Sequence, residues 1–265
     1  QMTRALNQVV ILGGGTAGWL TASTLAAEHG ASLDITLVES PDIPIIGVGE
    51  GTWPSMRTTL QKIGISERVL LKECDATFKQ GTEFIGWRSE SEAHAYYHPF
   101  SLPAEYASLN LAEHWLASSV TSDFCATVTP QAGVISASRA PKALGVPEFA
   151  FQFNYGYHFD AAKLSVLLRD HAVDALGVTH MLANLTEVEF SSSGAITALT
   201  LDNGTSLSGD VFVDCSGQRG LLIGEAMGVP TVSMGHVLPN DRAIATQVPY
   251  SNPDAQIASV TRSTA

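Results

Sequence analysis

The apolar positions of the chain change period several times, and each change predicts an element. Val9 to Leu12 is an unbroken apolar run, and Gln8 to Leu12 reads as a buried strand. Glycines at 13, 14, 15 and 18 interrupt it, and the small and apolar residues from Ala17 to Glu28, closed by Gly30, predict a helix. Asp34 to Val38 is the next strand. Strand, tight turn, helix and strand form a β-α-β unit, whose short crossover implies a parallel sheet with helices on its faces. The expected fold class is therefore α/β.

From Ser89 to Phe153 the sustained periods are lost among aromatics, prolines and small polar residues, which reads as a second lobe. Leu164, Leu167, Leu168, Ala172 and Val173 then recur at three- and four-residue spacings and predict a helix from Ala161 to Leu176. Val178 to Leu182, Leu185 to Phe190 and Ala195 to Leu201 alternate as strands, and Asp202-Asn203-Gly204 predicts a turn into a further strand from Ser206 to Val213. The expected organisation is a discontinuous cofactor domain, residues 1–88 and 159–235, with residues 89–158 and 236–265 forming part of an added lobe.

Composition narrows the partners. A 265-residue chain with 45% hydrophobic content can bury a sizeable core, while a formal charge of −12 with only 14 Lys and Arg argues against nucleic acid or an anionic membrane. A small, weakly charged substrate is easier to accept. Cys74, Cys125 and Cys215 are widely spaced and form no CxxC pair, which reads as reduced thiols in a cytoplasm. The apolar stretch from Val9 to Leu20 is broken by glycines and has no basic run before it, so it is not read as a signal peptide, and no segment reaches transmembrane length. A homodimer is left open.

Gly13-Gly14-Gly15-Thr16-Ala17-Gly18 lies between a strand and a helix, and Glu39 closes the following strand about twenty residues later, the context of a dinucleotide-binding fingerprint. Gly13 permits the sharp turn, Gly15 lets backbone approach a pyrophosphate, and Gly18 allows close helix–strand packing. The helix start at Thr16 and Ala17 offers free N–H groups and a favourable dipole to phosphate, and Glu39 can accept from both ribose hydroxyls. Asp214-Cys215-Ser216-Gly217 follows another apolar strand and could bring backbone to a second part of the cofactor; it also reads as an ordinary strand-to-helix turn. Gly47-Val48-Gly49-Glu50-Gly51-Thr52-Trp53-Pro54 is a second glycine-rich loop, suited to a flat ligand or to a plain surface turn. His94 and His98 have the spacing of two metal ligands on a helix face, but no third ligand accompanies them and no metal is expected.

In order and spacing, the segments GGGTAGW, VGEGTWPS, DATFKQGTEFIGW, YHFDA and DCSGQRGLLI resemble the flavin-dependent tryptophan halogenases, and the resemblance runs from Val9 to Ala265. It implies a Rossmann-like FAD-binding domain of the flavin monooxygenase type with an added substrate lobe. It further implies reduced FAD delivered by a separate flavin reductase, consumed with O2 and chloride or bromide to make hypohalous acid. That oxidant would halogenate tryptophan or another indole or aromatic substrate at an active-site lysine. The family lysine falls on Lys79, the flavin-side loop on Gly49, Glu50 and Gly51, an adenine contact on Leu185, and a residue facing the indole pocket or tunnel on His98. Many members carry alanine where this chain has Gly51. For His98, a buried, hydrogen-bonded histidine is the alternative. The WxWxIP motif and second catalytic carboxylate of the family have no match here, and Thr261 to Ala265 resembles the stretch running into that motif, so the expectation is an N-terminal portion of a longer protein. A flavin-dependent aromatic monooxygenase and a non-catalytic FAD-binding fragment remain the alternatives.

Overall fold

The computed structural model describes residues 5–44, 49–88, 94–252 and 254–265. In chain order they begin β1 (Gln8–Leu12), α1 (Thr16–His29), β2 (Asp34–Glu39), β3 (Gly49–Gly51), α2 (Ser55–Ile63), α3 (Glu67–Glu73), β4 (Thr77–Lys79), β5 (Gly81–Ile85) and β6 (Ala95–Pro99). Three short helices follow, α4 (Leu111–Ala117), α5 (Phe124–Val128) and α6 (Gln131–Ser136). Then come β7 (Gly156–Asp160), α7 (Ala161–Asp174), β8 (Thr179–Leu182), β9 (Leu185–Phe190), β10 (Ile196–Leu201), β11 (Ser206–Ser208), β12 (Val211–Asp214) and β13 (Thr261–Thr264). Among the described residues, no helix is long and apolar enough to cross a membrane.

Contacts divide the chain into two compact units: residues 1–48, 62–65 and 161–247, and residues 49–61, 66–160 and 248–265. This division differs from the expected boundaries: residues 236–247 group with the first unit, while residues 49–61, 66–88 and 159–160 group with the second. The reason for the second grouping is strand pairing, since β3 and β4 both pair with β7 and β5 pairs with β6 and β13.

The first unit holds a parallel sheet in the order β12-β1-β2-β8, with α1 packed on α7. Its core is Val10, Leu12, Val38, Ala183, Leu199, Leu201 and Leu222, which joins this sheet to the antiparallel β11-β10-β9 sheet. The expected strand from Ser206 to Val213 is in fact two strands in different sheets. Gly209 and Asp210 separate them, and the Asp210 carboxylate accepts from the N–H groups of Asn7 and Gln8, tying the break to the start of β1.

The second unit contains the sheets β3-β7-β4 and β13-β5-β6. β6 carries His98, with His94 just before it, so the two histidines lie along extended chain and the helix-face spacing does not apply.

Packing at glycine is tightest where α1 starts. A Cβ on Gly18 would stand 1.9 Å from the Gly13 carbonyl oxygen, whereas one on Gly133 in α6 would meet nothing within 4 Å. We expect Gly18→Ala to cost about 1–3 kcal/mol by overpacking and Gly133→Ala to add about 0.4–1 kcal/mol by restricting the unfolded chain. Thermal unfolding of both variants checks this; equal midpoints would show that the α1 contact is not tight.

Candidate functional site

In the first unit, β1 has β12 on one side and β2 on the other; in open parallel sheets, ligands bind beyond the C-terminal ends of strands where the chain connections diverge. Gly13 lies at that end with φ of +124°, and its N–H donates to the Val38 carbonyl at 2.8 Å. A Cβ there would be 2.1 Å from the Cys215 carbonyl oxygen. Gly15 caps α1 with no side-chain bond, which leaves the N–H groups of Thr16, Ala17 and Gly18 without intrahelical acceptors. A Cβ on Gly15 would meet nothing within 4 Å, so this backbone borders open space that a side chain would fill. Free amides, a helix dipole and an open cradle fit a pyrophosphate.

Glu39 ends β2, and its side chain lies directly over Gly14, where an added Cβ would come within 2.3 Å of Cγ and Cδ. Its Oε2 is 2.8 Å from Nε2 of His180 on β8. The carboxylate sits off the N–H direction, so that ring nitrogen is buried without a well-aligned hydrogen bond. The imidazole also meets the fully buried Trp19 edge-on, with centroids 4.9 Å apart.

Asp214 ends β12, and its carboxylate accepts from the Ser216 hydroxyl and N–H and from the N–H groups of Leu222 and Ile223. Partial burial pushes its pKa up, but those bonds together hold it below the usual carboxylate value. It thus shapes the turn that exposes Gly217 at φ of +77°. Leu185 starts β9 and packs partly buried against the core of this unit.

In the second unit, Lys79 ends β4. β7 is the central strand: Thr77 pairs with His158, Lys79 with Gly156 and Gly51 with His158. One face of this sheet carries Phe78, Tyr155, Tyr157 and Phe159, the last three buried, and the other carries Lys79 and His158. Lys79 is half-buried, which lowers the pKa of its amine, and its Nζ stands 5.8 Å above the Phe100 ring. Burial, reinforced by the Lys79 charge, pushes His158 down to about 4, so its imidazole is neutral near pH 7; its Nε2 lies 2.9 Å from the Thr261 hydroxyl. A Cβ on Gly51 would be 2.9 Å from Lys79 Nζ and 3.1 Å from His158 Cδ2, so glycine here gives the amine room that alanine would narrow.

Gly49 and Glu50 are exposed on β3, and Gly47 and Val48 lie outside the described residues. His98 is exposed on β6, paired with Thr82, rather than a buried histidine. Sequence reading gave no role to Gly14, His158 or Thr261 and did not single out His180. Gly14, His158 and Thr261 lie within segments that carry the resemblance, but their partners, like that of His180, are brought near only by folding.

Comparison with known proteins adds to this geometry. The family model described as tryptophan halogenase matches residues 8–265. The chain is 37% identical over 268 residues to tryptophan 6-halogenase ThaL of Streptomyces albogriseolus, covering 95% of this chain and 50% of the relative. It is 35% identical to tryptophan 7-halogenase RebH of Lentzea aerocolonigenes, over 95% of this chain and 50% of that protein. A crystal structure of a tryptophan halogenase from Shewanella frigidimarina superposes with a TM-score of 0.94 at 45% identity, over 99% of this chain and 52% of that one. The chain therefore spans about half the length of the relatives it matches.

The depressed pKa of His158 has a consequence for stability. Its folded value of about 4 lies below the ordinary 6.5, so between those values the unfolded chain binds more protons. Stability from this group is complete above pH 6.5 and is lost as pH falls towards 4. Glu67 and Asp214 are also held low, from 4.5 and 3.8, so their contributions fade only at the acid end of that window and below it. We expect the thermal midpoint to fall between pH 6.5 and 5 and His158→Gln to flatten that fall; an unchanged slope would assign it to another group.

Proposed function

Because the chain belongs to the tryptophan halogenase family, we propose that it forms the FAD-binding and halogen-delivering part of an enzyme that halogenates tryptophan or another indole or aromatic substrate. The observation that carries this reading is Lys79, a half-buried amine with a lowered pKa, held in register by β7 beside a neutral imidazole. In the first unit, the α1 amides would hold the pyrophosphate of FAD and Glu39 the adenosine ribose. In the second unit, Gly49, Glu50 and Gly51 match the family's flavin-side loop. Leu185 would meet the adenine end, and Asp214 would act by shaping the Gly217 turn. Reduced FAD with O2 supplies the oxidising equivalent that converts chloride or bromide to hypohalous acid.

Lys79 then directs the halogen in one of two ways. As an ammonium it donates a hydrogen bond to the hypohalous oxygen, so that the halogen passes to a ring carbon, the oxygen leaves in water and the ring proton is lost. As a neutral amine it forms an N–halogen bond with release of water, and the ring carbon then takes the halogen, loses its proton and returns the amine. Burial favours the neutral form relative to an exposed lysine. His98, exposed on β6, would face the substrate or its tunnel. A separate flavin reductase, a cytoplasmic setting and a homodimer belong to the same reading.

In the full-length protein we expect Lys79→Ala to abolish regioselective product while FAD affinity stays within about threefold. Lys79→Arg keeps the charge but cannot readily supply a neutral amine, so it separates the two modes: an active arginine variant favours hydrogen bonding and an inactive one the haloamine. An active alanine variant would remove Lys79 from the reaction, and product formed equally without halide would favour an aromatic monooxygenase. Gly15→Val should weaken FAD binding at least tenfold without unfolding, because its side chain would fill the cradle; unchanged affinity would overturn the placement of the pyrophosphate.

A further inference from the structure

We propose that His180 is a positioning residue that fixes the Glu39 carboxylate for the adenosine ribose, and that Gly14 is glycine because Glu39 must lie over it. The inference rests on the FAD reading and extends it to His180, outside the fingerprint, and to Gly14, the fingerprint position so far without a role. His180 pairs with Leu37, two residues before Glu39, and α1 covers this face of the sheet. Trp19 of α1 is 1% exposed and presses on the imidazole edge, which restricts the ring from that side. The ring nitrogen Nε2 is buried, 2.8 Å from Glu39 Oε2, yet not aligned with it.

A buried polar nitrogen without a well-aligned acceptor is costly, and here the acceptor is already within reach. A small rotation of the carboxylate brings Oε2 onto the N–H direction. Gly14 determines where that rotation can occur: the side chain from Cβ to Cδ occupies the space that any larger residue at 14 would take. His180 then holds one carboxylate oxygen and leaves Oε1 for the ribose diol. Without the imidazole the glutamate could swing freely, and the entropy of ordering it would fall on the ligand.

The test compares ADP with 2′,3′-dideoxy-ADP by calorimetry on the full chain, in wild type, His180→Asn and His180→Gln. Glutamine can place its amide nitrogen near the position of Nε2, whereas asparagine is too short to reach it. Wild type is expected to prefer ADP at least tenfold, as a hydrogen bond to a charged group allows. His180→Asn should lower that preference to about threefold or less by weakening ADP alone, and His180→Gln should keep most of it, with thermal melts showing that both variants fold. If wild type prefers ADP and both variants keep the preference, or both lose it equally, the role of His180 is overturned while the dinucleotide reading stands. If wild type does not distinguish the two ligands, the Glu39–ribose reading itself is overturned.

Discussion

The placement of Lys79 depends on a carboxylate buried beneath the opposite face of its sheet. Glu67, 2% exposed, accepts from the Tyr155 hydroxyl at 2.5 Å, the Tyr157 hydroxyl at 2.7 Å, the Lys142 ammonium at 2.5 Å and the Phe149 N–H at 3.1 Å. Burial alone would raise its pKa, but these donors together hold it below the ordinary value, so it stays ionised. The same burial, with the carboxylate beside them, pushes both tyrosines well above their usual range and keeps them as donors. A buried charge deprived of one partner typically costs about 3–5 kcal/mol, so the arrangement strongly favours a single geometry. Arg57 adds to it: its guanidinium donates to the Tyr155 and Phe149 carbonyls and stacks over the Phe151 and Tyr155 rings.

Because Tyr155 and Tyr157 flank Gly156 and alternate with His158, anchoring them sets the register of β7. β7 in turn pairs with both β3 and β4, so Gly51, Lys79 and His158 come together on the far face through backbone bonds. Polar burial on one face thus positions the Lys79 amine and the His158 imidazole on the other. The lysine meets its neighbours in a partly desolvated setting, where a charged amine is less favoured than in water.

The first unit works by the opposite device, removing side chains so that backbone and a carboxylate can come close. Gly13 meets the Cys215 carbonyl, Gly18 meets the Gly13 carbonyl, and Gly14 lies under Glu39. These contacts bring the end of β1, the start of α1 and the end of β2 together. The relatives named tryptophan 6-halogenase and tryptophan 7-halogenase match the chain over half of their own length.

The sequence by itself determined what is local. The β1-α1-β2 unit, the fingerprint glycines, Glu39 at the end of its strand and the helix from Ala161 all follow from periods and turns within about a dozen residues. Ordered motifs placed Lys79, Gly51 and His158 in recognisable segments. What only the tertiary structure decided are the contacts between distant positions: His158 with Thr261 across 103 residues, Tyr157 with Glu67 across 90, and His180 beside Glu39. The same holds for the break between β11 and β12, where an apparently continuous strand passes from one sheet to another. The reason is that strand register and helix docking select which distant side chains share a face. A pattern of apolar and polar positions encodes that a strand exists and which side is buried, but not which strand lies beside it.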